Sequence, residues 1–174
     1  NKRVMHHKFF ETPIWIQNID PKRLNLVSKN FKPNWLSETP SSFSENEEDN
    51  YMDEDGKNYL KEQILFCLQE FGIKDIDIIQ IWRNIYNNGD YQEKHCHVNS
   101  MFSFTIYEKV SKPQTVFEHP AHELIYATGV DKYISPYMLP DIKQNQMILW
   151  PSYLKHMVKK SYKSMTISGN VVVK

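Results

Sequence analysis

His95 and His97 stand one residue apart, and a third histidine, His156, follows much later behind Met147-Ile148-Leu149-Trp150-Pro151-Ser152. Side chains two apart on a strand point the same way. His95 and His97 therefore share a face, and a chain folded into a small barrel brings His156 to them. Neutral imidazoles are among the commonest ligands of iron, zinc, copper and nickel. Type and spacing together predict a three-point metal site on a β scaffold. Cys96, between the first two histidines, faces the other side of the strand and reads as a packed small hydrophobe rather than a nucleophile. A single histidine in a β pattern is more often a core or surface residue. His119 and His122 are read that way, as surface residues, and His6 and His7 carry no site.

The elements that must position these residues follow from periodicity. Residues 8–19 read as a strand, and Asp20-Pro21 opens a short helix to about Asn30, with Pro21 suited to a first helical turn. Residues 37–56 hold Ser, Thr, Pro and the acidic run Glu45–Asp49, and read as a solvated loop. Over 57–71 the apolar positions Tyr59, Leu60, Ile64, Leu65, Leu68 and Phe71 make a helical stripe, which Gly72 ends. Strands then follow over 75–86, 91–97, 100–108, 113–118, 146–150, 155–159 and 163–173. Asn87-Asn88-Gly89-Asp90 is a turn between the first two. Residues 119–144 form a long irregular insertion with Pro120, Gly129, Pro136 and Pro140, of a length usually tied to function. Helices first and strands after predict a mainly β jelly roll or sandwich with helices on one side.

Composition narrows the function. The 174 residues suit one domain, expected as an N-terminal strand and supporting helices over 1–74 and a barrel core over 75–174. Hydrophobic residues make up 40% of the chain, enough for a core. The 21 basic and 21 acidic residues cancel, which speaks against a broad nucleic-acid surface. No apolar run reaches the length of a membrane span, and no signal peptide is visible. Two cysteines do not make a disulfide framework; Cys67 reads as a core thiol, and a reducing, cytoplasmic location fits both thiols.

The segment Trp82-Arg83-Asn84-Ile85-Tyr86-Asn87-Asn88-Gly89-Asp90-Tyr91-Gln92-Glu93-Lys94-His95-Cys96-His97-Val98-Asn99-Ser100 resembles the 2-oxoglutarate and Fe(II)-dependent oxygenases common in marine phage and bacterial genomes, relatives of the prolyl-hydroxylase-like group. Their pattern is W-x-N-x-Y, G-x-Y-Q, then H-x-H and an N-S pair. Met147 through Val158 is similar to their apolar strand, F-P-S and x-L-x-H-x-V. Met165-Thr166-Ile167-Ser168-Gly169-Asn170 is similar to their closing strand. Phe9–Ile14 and Trp35-Leu36-Ser37 also resemble family features, so the likeness runs along nearly the whole chain.

The resemblance implies a double-stranded β-helix (cupin-like jelly roll) holding Fe(II) and 2-oxoglutarate. It implies His95, His97 and His156 as the metal ligands, with His97, as in relatives with H-x-H, where the wider superfamily usually carries a carboxylate. A variant takes His97 as first ligand and Asn99 as a weak second. A facial triad leaves positions open for 2-oxoglutarate and dioxygen. The cosubstrate leaves as succinate and carbon dioxide while a C–H bond is oxidised, and the protein supplies orientation and a dry pocket. The family usually anchors the cosubstrate tail with Arg or Lys at the start of the last strand. Here that position is Ser164, with Lys163 before it.

Alternation puts Ser164, Thr166, Ser168 and Asn170 on one face and Lys163, Met165 and Ile167 on the other. The candidate cosubstrate residues are therefore Ser164, Lys163, Thr166, Tyr86, Asn84 and Tyr91, with Arg83 as a substitute cation. Trp82 and Trp150 read as barrel wall. Gly169, where relatives carry Phe, predicts weaker packing and a wider barrel end. The acidic loop 40–56 and the insertion 119–144 are expected to border the substrate entrance. The activity implied is hydroxylation of a peptidyl or small-molecule substrate, in host cytoplasm if the source is a phage. Two other readings stand beside it: a three-histidine iron dioxygenase that does not use 2-oxoglutarate, and an inactive barrel serving as a phage binding or structural module.

Overall fold

The computed structural model describes residues 11–110, 112 and 115–174. The Phe9-Phe10 pair, His6 and His7 lie outside them. The elements in chain order are β1 (Trp15–Asn18), β2 (Val27–Ser28), β3 (Lys32–Asn34), β4 (Thr39–Ser41), β5 (Asn50–Tyr51), α1 (Glu54–Leu68), β6 (Ile76–Tyr86), β7 (Gln92–His95), β8 (Phe102–Lys109) and β9 (Thr115–Glu118). They continue with α2 (His122–Ala127), β10 (Tyr137–Met138), β11 (Gln146–Pro151), β12 (His156–Val158) and β13 (Ser164–Val173). The strands build a seven-stranded sheet in the order β1-β11-β8-β13-β6-β4-β3 and a four-stranded sheet in the order β10-β9-β12-β7; β2 and β5 form a small ribbon. All pairs are antiparallel. The mainly β jelly roll with helical support matches the expectation.

Period-two alternation sorts the large sheet into two faces. Along β11, Met147 and Leu149 join Ile106, Ile167 and Val171 in the core under α1, whereas Ile148 and Trp150 join Tyr107 and Phe117 in a second core. Leu60, Ile64 and Leu68 of α1 are fully buried on the first face. Each such side chain contributes about 1.5–3 kcal/mol on leaving water.

α1 begins three residues earlier than its apolar stripe predicts. Asp53 caps it by accepting a hydrogen bond from the Gly56 N–H at 2.8 Å, and Glu54 and Asp55 lie in its first turn, where the helix dipole favours them. The chain leaves through a 3-10 turn at Gln69–Phe71, and Gly72 turns left-handed at φ 68°, as expected. The helix expected over 21–30 is only one 3-10 turn, Pro21–Leu24. Asp20 caps it, and Asn25 ends it with a left-handed φ of 48°. The loop expected over 37–56 contains β4, β5 and the start of α1, and the insertion 119–144 contains α2 and β10.

Gly169 does not widen the barrel. It sits opposite Phe104 in the β13–β8 register. A Cβ there would collide with the Phe104 ring and lie 2.6 Å from the Gln80 carbonyl oxygen. The aromatic ring occupies the space that the missing side chain leaves.

Candidate metal centre

The β7–β12 pairing sets His95 directly opposite His156, and β9 lies on the other side of β12 with Phe117 opposite the same histidine. His97 lies two residues beyond the end of β7. Its backbone N–H donates to the Ser152 carbonyl at 3.1 Å, which ties it to the turn that leads into His156. The three rings converge: their centres are 4.2 Å apart for His95 and His156 and 5.2 Å for each other pair. One ligand nitrogen from each lies within 4.8 Å of the others. Asn99, the variant's second ligand, is exposed in a left-handed turn at φ 62°.

Two of the rings are held by the backbone. His95 Nδ1 donates to the Glu93 carbonyl at 2.7 Å, and His156 Nδ1 donates to the Leu154 carbonyl at 3.1 Å. A carbonyl only accepts, so the proton sits on Nδ1 and the Nε2 lone pair is free for a metal, the arrangement that orients metal-ligating imidazoles. Burial holds all three histidines below their ordinary pKa. It lowers His95 against the opposing pull of the Glu93 carbonyl. Burial and then His95 take His97 to about 4. His156 falls well below the usual range through burial, helped by the other two rings. The donor set is three neutral imidazoles in a poorly solvated site, and it fits a divalent metal.

Aromatic rings wall the site. Trp35 packs on His95 with ring centres 4.5 Å apart, Trp82 stacks on His97 at 5.9 Å, and Trp150 meets His156 edge-on at 4.9 Å. Trp82 and Trp150 are barrel wall as expected, and they also pack against candidate ligands. Trp35 was legible only as a family feature without a role. It sits in a turn with φ 68° that two hydrogen bonds pin to the strand carrying His95. Ser37 Oγ donates to the Tyr91 carbonyl at 2.6 Å, and the Leu36 N–H donates to Glu93 Oε1 at 2.7 Å.

A polar network missed by the sequence reading lies behind His97. The buried Ser152 hydroxyl is 2.9 Å from that of Ser100 and 2.8 Å from that of Ser103. Ser103 donates to Asn170 Oδ1, and Asn170 Nδ2 donates to Gln80 Oε1.

A cavity runs from the histidines along the inner face of β6 and β13. Asn84, Tyr86, Ser164 and Thr166 line it, and so does Ser168. The cross-strand pairs Ser168–Trp82, Thr166–Asn84 and Ser164–Tyr86 make successive layers away from His97. Asn84 Oδ1, Thr166 Oγ1, Trp35 Nε1 and Trp150 Nε1 are buried without a hydrogen-bond partner, and all four residues line the cavity. Buried polar atoms are rarely left unpaired, so these four offer hydrogen-bond partners to a water or a polar ligand in the cavity. Burial raises the Tyr86 phenol above its ordinary range and takes Tyr107 up to about 12, so both stay protonated donors. Thr166 lies close enough to Tyr86 to ease its ionisation slightly, but no hydrogen bond closes between them.

The structure corrects several expectations. Lys163 is exposed and outside the cavity lining; its backbone N–H binds Asn88. Tyr91 is also outside, engaged through its backbone with Ser37. Arg83 points to the other face, where it pairs bidentately with Glu108 at 2.7 and 2.9 Å. Cys96 is exposed rather than packed, because β7 ends before it. Neither the acidic loop nor 119–144 contributes to the lining: Glu45, Glu48 and Glu54 border a separate groove beside residues 77–81. His119 is exposed as expected, whereas His122 is half-buried against Tyr137.

The fold is a double-stranded β-helix in which three converging imidazoles beside a polar cavity form a group that could hold one metal ion. A family profile described as "Putative 2OG-Fe(II) oxygenase" matches residues 80–168, and the chain belongs to that family of Fe(II)- and 2-oxoglutarate-dependent oxidoreductases. A prolyl-4-hydroxylase from Pseudomonas putida shares the fold at 10% identity and TM-score 0.56, over 94% of each chain. A 2OG-Fe(II) oxygenase family oxidoreductase from Burkholderia pseudomallei is more distant, at 10% identity and TM-score 0.49 over 91% of this chain, which spans 66% of that one. So is a viral collagen prolyl hydroxylase from Paramecium bursaria Chlorella virus-1, solved with 2OG, at 11% identity and TM-score 0.48 over 78% of this chain and 80% of that one. No curated protein matches the sequence. No helix among the described residues is long and apolar enough to cross a membrane.

Proposed function

We propose that this chain is a hydroxylase in which His95, His97 and His156 hold Fe(II), and Asn84, Tyr86, Ser164 and Thr166 line the seat of 2-oxoglutarate. The observation that carries this reading is the convergence of three neutral imidazoles, two with Nδ1 committed to backbone carbonyls, at the head of a cavity with unpaired buried polar atoms. Bound iron with 2-oxoglutarate and dioxygen supplies the oxidation of a substrate C–H bond, with release of succinate and carbon dioxide. The protein's part is to hold and shield. The carbonyls of Glu93 and Leu154 keep two imidazoles in their ligating tautomer. The Trp35, Trp82 and Trp150 rings exclude water from the ligands. The Tyr86 hydroxyl and the Thr166 and Ser164 side chains offer donors to a carboxylate.

The prolyl-4-hydroxylase that shares the fold supports hydroxylation over other oxidations. The substrate we propose is a peptidyl side chain or a small molecule, in the cytoplasm. We treat 1–174 as one domain, with 75–174 as the barrel core.

The test is anaerobic calorimetric titration of metal-free protein with Fe(II), then with 2-oxoglutarate, on wild type and His156→Ala. Loss of one of three ligands should lower iron affinity by more than about 100-fold, beyond the 10–100-fold typical of outer partners. Iron binding that survives His156→Ala overturns the ligand set. Iron binding without 2-oxoglutarate binding would make the site a three-histidine dioxygenase of another kind.

A further inference from the structure

The cosubstrate cavity lacks the cation that a dicarboxylate needs on its last strand, where Ser164 and Thr166 offer only hydroxyls. The other nearby cations are committed elsewhere: Arg83 is paired with Glu108 on the opposite face, and Lys163 is exposed outside the lining. Among the described lining residues there is one cation, Lys112, and no Asp or Glu.

Lys112, largely exposed, lies between β8 and β9 in sequence. Its ammonium lies 5.9 Å from the ring centre of Tyr162, the residue after Ser161, and the hydrogen-bonded Ser161 and Ser164 line the end of the cavity away from the histidines. No carboxylate pairs with Lys112 among the described residues. From Ser168 beside the metal site to Thr166 is two residues of strand, about 6.6 Å, and Ser164 is the same distance further. A five-carbon 2-oxo diacid lying along this wall with its 2-oxo acid end toward the histidines turns its second carboxylate toward the Thr166–Asn84 and Ser164–Tyr86 layers. The unpaired Asn84 and Thr166 atoms are there, and Lys112 lines the same cavity.

We infer that Lys112 is the positioning cation for the distal carboxylate of 2-oxoglutarate, delivered from the connection between two strands of different sheets, β8 and β9, instead of the last strand, and assisted by Asn84, Thr166 and Ser164. This rests on the iron and 2-oxoglutarate reading above. It separates recognition of the two ends of the cosubstrate: the histidine end reads the 2-oxo acid and Lys112 reads the second carboxylate. A lysine is a flexible point charge, so Lys112→Arg should serve nearly as well.

The test compares 2-oxoglutarate with 2-oxobutanoate, which keeps the 2-oxo acid and lacks the distal carboxylate. Both are titrated anaerobically into Fe(II)-loaded protein by calorimetry. Wild type should prefer 2-oxoglutarate by tenfold or more, the scale of one charge-assisted hydrogen bond. Lys112→Met should lose at least tenfold for 2-oxoglutarate and leave 2-oxobutanoate and Fe(II) affinity unchanged, and Lys112→Arg should retain the preference. The inference is overturned if Lys112→Met binds 2-oxoglutarate within twofold of wild type, or weakens both acids equally. It is also overturned if wild type does not discriminate between them. Failure of wild type to bind Fe(II) would be a different result: it removes the metal reading itself, and this anchor with it.

Discussion

The three imidazoles are neutral at neutral pH because burial penalises their charged forms. Iron therefore has almost no proton to displace on binding at pH 7. Calorimetry in buffers of different ionisation enthalpy should give the same apparent binding enthalpy, and a clear buffer dependence would show that a ligand starts protonated. The sign for stability follows from the same shift. Folded pKa values lie below the unfolded value near 6.5, so the unfolded chain takes up more protons as pH falls through that value. Stability of the metal-free protein should be constant above pH 7. It should decline from about pH 6.5 toward the depressed folded values, near 4 for His97. Denaturant unfolding across pH 4–8 measures it, and His97→Gln should flatten part of the slope.

At the scale of elements, the closing strand does two jobs with its two faces. Thr166 and Ser168 face the cavity, while Ile167, Gly169 and Val171 face the core beneath α1. Gly169 is tolerable only because Phe104 covers it and intolerant of a side chain for the same reason. Gly169→Ala should cost about 1–3 kcal/mol as overpacking, read as a shift in denaturant midpoint. Fe(II) affinity should stay as in wild type, because the collision lies on the face turned away from the histidines. Strand positions were legible because alternation and turn residues agree from 75 onward. The N-terminal third was harder. Its short strands β2 to β5 carry little periodicity, and residues 37–56 looked like solvated loop although Asp53 among them caps α1. Propensity shows which residues suit a first helical turn, but here only the cap itself shows where the turn starts.

For the molecule as a whole, the candidate ligands belong to β7, to the segment after it and to β12, so a metal held there would bridge segments far apart in sequence. Binding to the folded state alone adds about 2.7 kcal/mol at a hundredfold excess over Kd, which for a chain of this size raises the melting temperature by about 5–10 °C. Differential scanning calorimetry under anaerobic conditions should show that rise with Fe(II) for wild type and little of it for His156→Ala. An equal rise in the variant would place the stabilising metal elsewhere.

The sequence by itself determined the β architecture, the histidine triad and the polar face of the last strand. The strands and the polar face rest on local regularity of residue type, alternation and spacing, whereas His156 joined His95 and His97 chiefly through the family resemblance of the blocks around them. Tertiary structure alone decided which cations are free. Alternation separates Arg83 from Asn84, but only the fold shows Glu108 holding it, Lys163 left in solvent and Lys112 brought to the cavity from another connection. It also decided that Trp35, distant in sequence, packs on His95, and that Phe104 fills the space at Gly169. Such contacts depend on which strands become neighbours, and that is set by packing of the whole chain rather than by any pattern along one segment.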